Sequence, residues 1–180
     1  MFQRITVITG MLMCCMLLGS SYAGSDKGKD KHRHSSLDFF AVLTGAQEVT
    51  NPPGGVDSNK AGTAFVTFDA GFTKARVHVR VNDASNVIAA HFHCGSPGQN
   101  GPVKFGLISP GQLMLDGNMI NGTLTNTDAS GADCMPVVGR PINNIASLAL
   151  AMRDGLIYIN IHTTNFTGGE IRGQMLEKSD

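Results

Sequence analysis

The sequence predicts an all-β fold with one short helix, a β-sandwich or a closed barrel rather than a parallel sheet. Three observations carry that prediction. Short apolar stretches rich in Val, Ile, Phe and Thr recur along most of the chain. Clusters of Gly, Pro, Asn and Asp separate them. A single segment, around Ile145, Leu148 and Met152, repeats its apolar residues at helical spacing.

Ahead of the β pattern, Met1 to Ala23 reads as a cleaved secretory signal. Arg4 gives the basic n-region, Ile5 to Leu18 the uncharged apolar h-region, and Ser21-Tyr22-Ala23 the small residues that signal peptidase reads. The apolar run is shorter than the roughly 20 residues of a membrane-spanning helix, and no basic cluster follows it directly. Retention as an N-terminal anchor is the alternative. Export to periplasm, envelope or the extracellular medium follows, with no membrane span after cleavage. Gly24 to Ser36 is charged and polar without apolar periodicity, which is the composition of a disordered tether. His32 and His34 belong to it and read as solvated. Residues 37–177 then form one domain.

Within the domain, Leu37 to Thr44 is apolar and rich in β-formers, and Asn51-Pro52-Pro53-Gly54-Gly55 marks a loop. Ala64 to Asp69 and Thr73 to Val81 predict a hairpin turning at Ala70-Gly71. In its second strand Val77, Val79 and Val81 alternate with Arg76, His78 and Arg80, which predicts one buried and one solvated face. His78 shares the solvated face with two arginines and reads as a surface residue. Further strands are predicted at Asn86 to Cys94, Val103 to Ile108, Gln112 to Asp116 and Met119 to Thr125, then an irregular stretch from Thr127 to Pro141. The helix starts at Asn143 or Asn144 as N-cap and stops at Gly155. Leu156 to His162 and Ile171 to Leu176 close the chain, joined by the turn-rich Thr163 to Glu170.

Composition removes several function classes. Lys+Arg and Asp+Glu each number 14, and no basic patch of the kind nucleic acid requires is present. No basic amphipathic helix marks a membrane surface. The nucleophile elbow, the Walker loop, the H-E-x-x-H helix and the dinucleotide fingerprint are all missing. Asn121-Gly122-Thr123 and Asn165-Phe166-Thr167 are glycosylation sequons.

Removal of the signal takes Cys14 and Cys15 with it and leaves Cys94 and Cys134. In an oxidising compartment two such cysteines pair. A bridge would close a loop of about 40 residues and contribute roughly 3–4 kcal/mol in the chain-entropy view. The alternative is a metal thiolate at Cys94, directly after two histidines.

His91 and His93 lie two apart on a strand, so they share one face, while Phe92 and Cys94 point into the core. In the late strand Ile157, Ile159 and Ile161 alternate with Tyr158, Asn160 and His162, which puts His162 on a polar face beside a loop. If the two strands meet, three neutral imidazoles converge, the ligand set of an open copper or zinc site. Glu170, across the hairpin loop, is a possible fourth ligand or an acceptor for an imidazole N–H. Arg172 on its face is an alternative partner for it. The plainer reading is that H-x-H bonds to loop carbonyls and His162 caps its strand.

The chain also resembles the CHRD domain family, the module repeated in chordin and found singly in secreted microbial proteins. The resemblance rests on Leu43-Thr44-Gly45-Ala46-Gln47-Glu48-Val49, Ala61-Gly62-Thr63-Ala64, Ala89-Ala90-His91-Phe92-His93-Cys94-Gly95, Asn100-Gly101-Pro102-Val103, and Tyr158 to Thr163 running into Gly168-Gly169-Glu170-Ile171-Arg172-Gly173-Gln174. It implies, of the two architectures, the antiparallel, Greek-key-like β-sandwich, similar in architecture to Cu/Zn superoxide dismutase, and for chordin a role in binding extracellular growth factors. The dismutase pattern itself is incomplete, because Gly95 to Pro102 holds no histidine or aspartate to bridge a second metal. The expectation is an exported, non-catalytic binding protein with a metal ion or a protein as partner, and possible copper or zinc as cofactor. The alternatives are a mononuclear, dismutase-like enzyme and a metal-free adhesion module.

Overall fold

The structure, a computed structural model, describes residues 36–179. The expected signal, His32 and His34 lie outside the described residues.

Ten antiparallel strands form the fold: β1 (Leu37–Thr44), β2 (Ala61–Phe68), β3 (Lys74–Val81), β4 (Val87–Cys94), β5 (Val103–Ile108), β6 (Met114–Asp116), β7 (Met119–Thr125), β8 (Ile157–Thr163), β9 (Ile171–Gln174) and β10 (Leu176–Glu177). They follow one hydrogen-bonded path, β5-β4-β8-β9-β1-β2-β3-β7-β6, with β10 beside β1. The ends of that path, β5 and β6, are consecutive in the chain. The Leu113 N–H donates to the Leu107 carbonyl at 2.9 Å, and Ile108 bridges Gln112. The sheet therefore curls until it nearly closes, and the layers expected of a sandwich are continuous with each other.

Alternation explains the core. Along β3 the valines are buried and Arg76, His78 and Arg80 exposed, as the sequence predicts. One apolar cluster takes Phe39 from β1, Phe68 from β2, Phe92 from β4, Phe105 from β5, Ile120 from β7 and Ile159 from β8. The predicted helix is α2 (Ile145–Arg153), which adds Leu148 and Met152 to the same core. Its N-cap is Asn144, whose side chain accepts from the Ser147 N–H, and Gly155 follows its end at φ 69°. A shorter helix, α1 (Met135–Val138), stands in the stretch expected to be irregular, with a proline in its first turn. No helix among the described residues is long and apolar enough to cross a membrane.

The expected polar face of β4 and β8 differs from its prediction, because β4 is buried on both faces over most of its length. Two loops lie across the outer face. The loop after β1 carries Glu48 and Ser58; the loop after β4 carries Asn100 and Gly101, and the two meet where the Asn100 amide donates to the Val49 carbonyl at 2.9 Å. Cys94, at the end of β4, is disulfide-bonded to Cys134, just ahead of α1, so the thiolate alternative falls.

Candidate metal centre

Strand register builds the site. On β4 and β8, Ala89 faces His162, His91 faces Asn160 and His93 faces Tyr158, while on β9 Arg172 faces Asn160. Directly paired residues project to the same side. Asn160 thus sits at the centre of a polar face, with His91 and Arg172 on either side of it and His162 and Tyr158 above and below.

The three predicted histidines meet. Each offers a ligand nitrogen, and these atoms all lie within 4.8 Å of one another. His91 Nδ1 stands 3.1 Å from His162 Nε2. Three nitrogens bound 2.0–2.1 Å from one tetrahedral ion would stand roughly 3.3 Å apart, so this pair already has the spacing of two ligands. Among the described residues this is the group of His, Cys, Asp or Glu that comes close enough to share an ion.

Backbone carbonyls orient two of the rings. His93 Nδ1 donates to the Gly101 carbonyl at 2.9 Å, and His162 Nδ1 to the Thr167 carbonyl at 2.8 Å. These are the loop contacts of the plainer reading, yet each fixes the proton on Nδ1 and turns the Nε2 lone pair toward the other rings, as in a metal-ligating histidine held from behind. The His162 lone pair is met by His91 Nδ1 at hydrogen-bond distance. His93 Nε2 is buried without a hydrogen-bond partner. His91 and His93 are buried, and His162 reaches solvent in part. Burial pushes the His91 imidazole down to about 4, helped by repulsion from His162 and His93 and opposed by the Ser109 carbonyl. His93 is likewise lowered, chiefly by burial, with its Gly101 contact opposing. Neutral imidazole is the form that binds metal.

A stack supports His93. Its ring lies on Tyr158 with centroids 4.9 Å apart and planes at 12°, and the Arg172 guanidinium carbon stands 3.4 Å from the centre of the Tyr158 ring. Arg172 also donates to Asn100 Oδ1 at 2.9 Å and to the Gln99 and Ser96 carbonyls at 2.8 and 3.4 Å. It therefore holds the loop that carries the Gly101 carbonyl. Gly101 itself has no room for a side chain, because a Cβ there would run into the Cys94 carbonyl.

Glu170 stands apart from the ligand group. Its Oε1 accepts from the Ser58 hydroxyl at 2.6 Å, and Arg172 is spent on Tyr158 and the loop rather than on a salt bridge to it. Glu48 and Asn160 received no role from the sequence. Both are buried at this face, and burial pushes the Glu48 carboxyl up to about 7, against the pull of Arg172 and of a contact with Asn160. Asn160 was findable, since alternation along β8 puts it on the side of His162. Glu48 was not, because its place depends on the path of a loop.

The CHRD domain family matches residues 39–175. Comparison with curated proteins and with solved structures gives no match to this chain. The family match runs through all ten strands but the last, and through every histidine of the site, and with it the chain belongs to the CHRD domain family.

Proposed function

We propose that this CHRD domain is an exported binding module that holds one copper or zinc ion on His91, His93 and His162. One observation carries the reading: three imidazoles from two paired strands converge within sharing distance, with rings turned by backbone carbonyls so that nitrogen lone pairs face inward. Imidazole suits Zn(II) and Cu(II), and Cu(II) binds tightest among the divalent first-row ions. The disulfide fits an oxidising compartment, which supports export. The test is the metal content of the mature protein from its native compartment, followed by competition titration. One ion per chain is expected, lost in His91→Ala and His93→Ala. Protein that is metal-free and takes up neither ion at micromolar concentration sinks the reading.

A second reading has its own support. Three protein ligands leave a coordination position open, as catalytic zinc sites do and closed structural sites do not. This favours a mononuclear enzyme. Superoxide turnover by the copper-loaded protein, abolished by His162→Ala, would select enzyme over carrier.

A further inference from the structure

The buried atoms beside the triad form a set with one shared deficiency. His93 is 8% exposed, Asn160 4% and Glu48 8%. In each, one polar atom has no hydrogen-bond partner: His93 Nε2, Asn160 Oδ1 and Glu48 Oε1. All three are acceptors when His93 is neutral with its proton on Nδ1, which its bond to the Gly101 carbonyl fixes. Leaving a buried acceptor unmet costs on the order of 1–3 kcal/mol each, so a fold that collects three at one place is shaped around something that supplies positive charge and O–H donors.

The three are neighbours. Asn160 influences both the Glu48 carboxyl and the His93 ring through side-chain contacts. Gly169, at φ 124°, has no side chain between them: a Cβ there would stand 2.7 Å from Asn160 Nδ2 and 2.7 Å from Glu48 Oε1. The chain reaches this place by design of its connections. β1 ends at Thr44, a 3-10 turn spans Gly45–Gln47, and Glu48 follows over the centre of the polar face. Burial pushes the Glu48 carboxyl up and the Arg172 charge only partly opposes this, because the guanidinium is itself committed to Asn100, Gln99 and Tyr158.

We propose that Glu48 and Asn160 line the fourth position of the three-histidine site and hold a metal-bound water there, Glu48 Oε1 and Asn160 Oδ1 each accepting one of its O–H bonds. The inference rests on the metal reading above and adds the residues that decide what occupies the open position. A metal–aqua unit meets these three acceptors at once: the ion takes the His93 lone pair, and the water supplies two donors. His91 Nε2 and Glu170 Oε2, also buried without a partner, lie outside it. Any ligand that displaces the water must be small and carry O–H or N–H groups, since an aprotic ligand leaves both acceptors buried and unmet.

The test uses the full mature chain as wild type, Glu48→Gln and Glu48→Asp, loaded with Cu(II) alone. Readouts are competition affinity, the EPR spectrum with exchangeable-proton couplings compared in H2O and D2O, and thermal unfolding of the metal-free proteins at pH 8. Glu48→Gln is expected to keep one copper per chain, to bind it about 10- to 100-fold more weakly, and to lose or alter the exchangeable-proton coupling. Glu48→Asp should recover part of both. The metal-free Glu48→Gln protein should melt no lower than wild type, because the substitution removes a buried charge. Wild-type affinity and spectrum in Glu48→Gln overturn the inference and leave the three-histidine reading standing. A lower melting point in metal-free Glu48→Gln also overturns it, by assigning Glu48 a structural role. A wild type that binds no copper overturns both.

Discussion

Two residues of this face are held in charge states that oppose each other as pH changes. Glu48 has its folded pKa raised from 4.5 to about 7, so its carboxylate destabilises the metal-free fold progressively as pH climbs through that window. His91 has its folded pKa depressed from 6.5 to about 4; its contribution is present above 6.5 and is lost as pH falls toward 4. The two partly cancel in the wild type, and single substitutions separate them. Metal-free Glu48→Gln should match wild-type stability near pH 4.5 and exceed it by on the order of 2 kcal/mol above pH 7, after allowance for solvent screening. His91→Gln should do the reverse, with no gain above pH 6.5 and a gain of similar size near pH 4.5. Urea unfolding at several pH values reads both slopes. The histidines were legible in the sequence because a strand has period two, so H-x-H declares a shared face. Glu48 was not legible, since its burial comes from a loop lying on that face and its partner Asn160 is more than a hundred positions away.

At the scale of elements, the site depends on how β9 pins the loop after β4. Arg172 reaches the loop with a planar fork, bonding Asn100 and the Gln99 and Ser96 carbonyls while its flat face covers Tyr158. A lysine supplies the charge but neither the fork nor the stacking plane. Arg172→Lys should therefore loosen Gly101, release the His93 ring from its carbonyl, and weaken Zn(II) binding about tenfold or more while leaving the β4–β8 register intact. Competition titration measures the affinity, and amide hydrogen exchange localises the loosening to residues 95–102. Most strands were readable from turn residues and alternation, and α2 from its spacing and its Asn144 cap. What could not be read was which faces the loops cover. Alternation along β8 predicted a polar face at Tyr158, Asn160 and His162, and that is right; it carried no information that the face is roofed. The proposed partnership of Arg172 with Glu170 failed for the same reason, because Tyr158 and the loop outcompete it.

For the whole molecule, the near-closure of the sheet joins the metal site to global stability. β4 and β8, which carry all three histidines, lie near one end of the hydrogen-bonded path, and their inner faces put Phe92, Ile159 and Ile161 into the single core. The site exists only when that core is formed, because His91 and His162 are 71 residues apart in the chain. An ion bound to the folded state alone stabilises it by mass action, about 2.7 kcal/mol when free metal is a hundred times the dissociation constant. For a domain of this size that raises the melting temperature by on the order of 10 °C. Zn(II) is the appropriate probe, being redox-silent and so harmless to the Cys94–Cys134 bridge. EDTA should reverse the shift completely. In His91→Ala and His93→Ala the zinc-induced shift should vanish, and the metal-free melting temperature should itself fall, since each substitution leaves a cavity at a buried ring and His93→Ala also strands the Gly101 carbonyl. A zinc-induced rise that survives both substitutions would place the ion somewhere other than these strands.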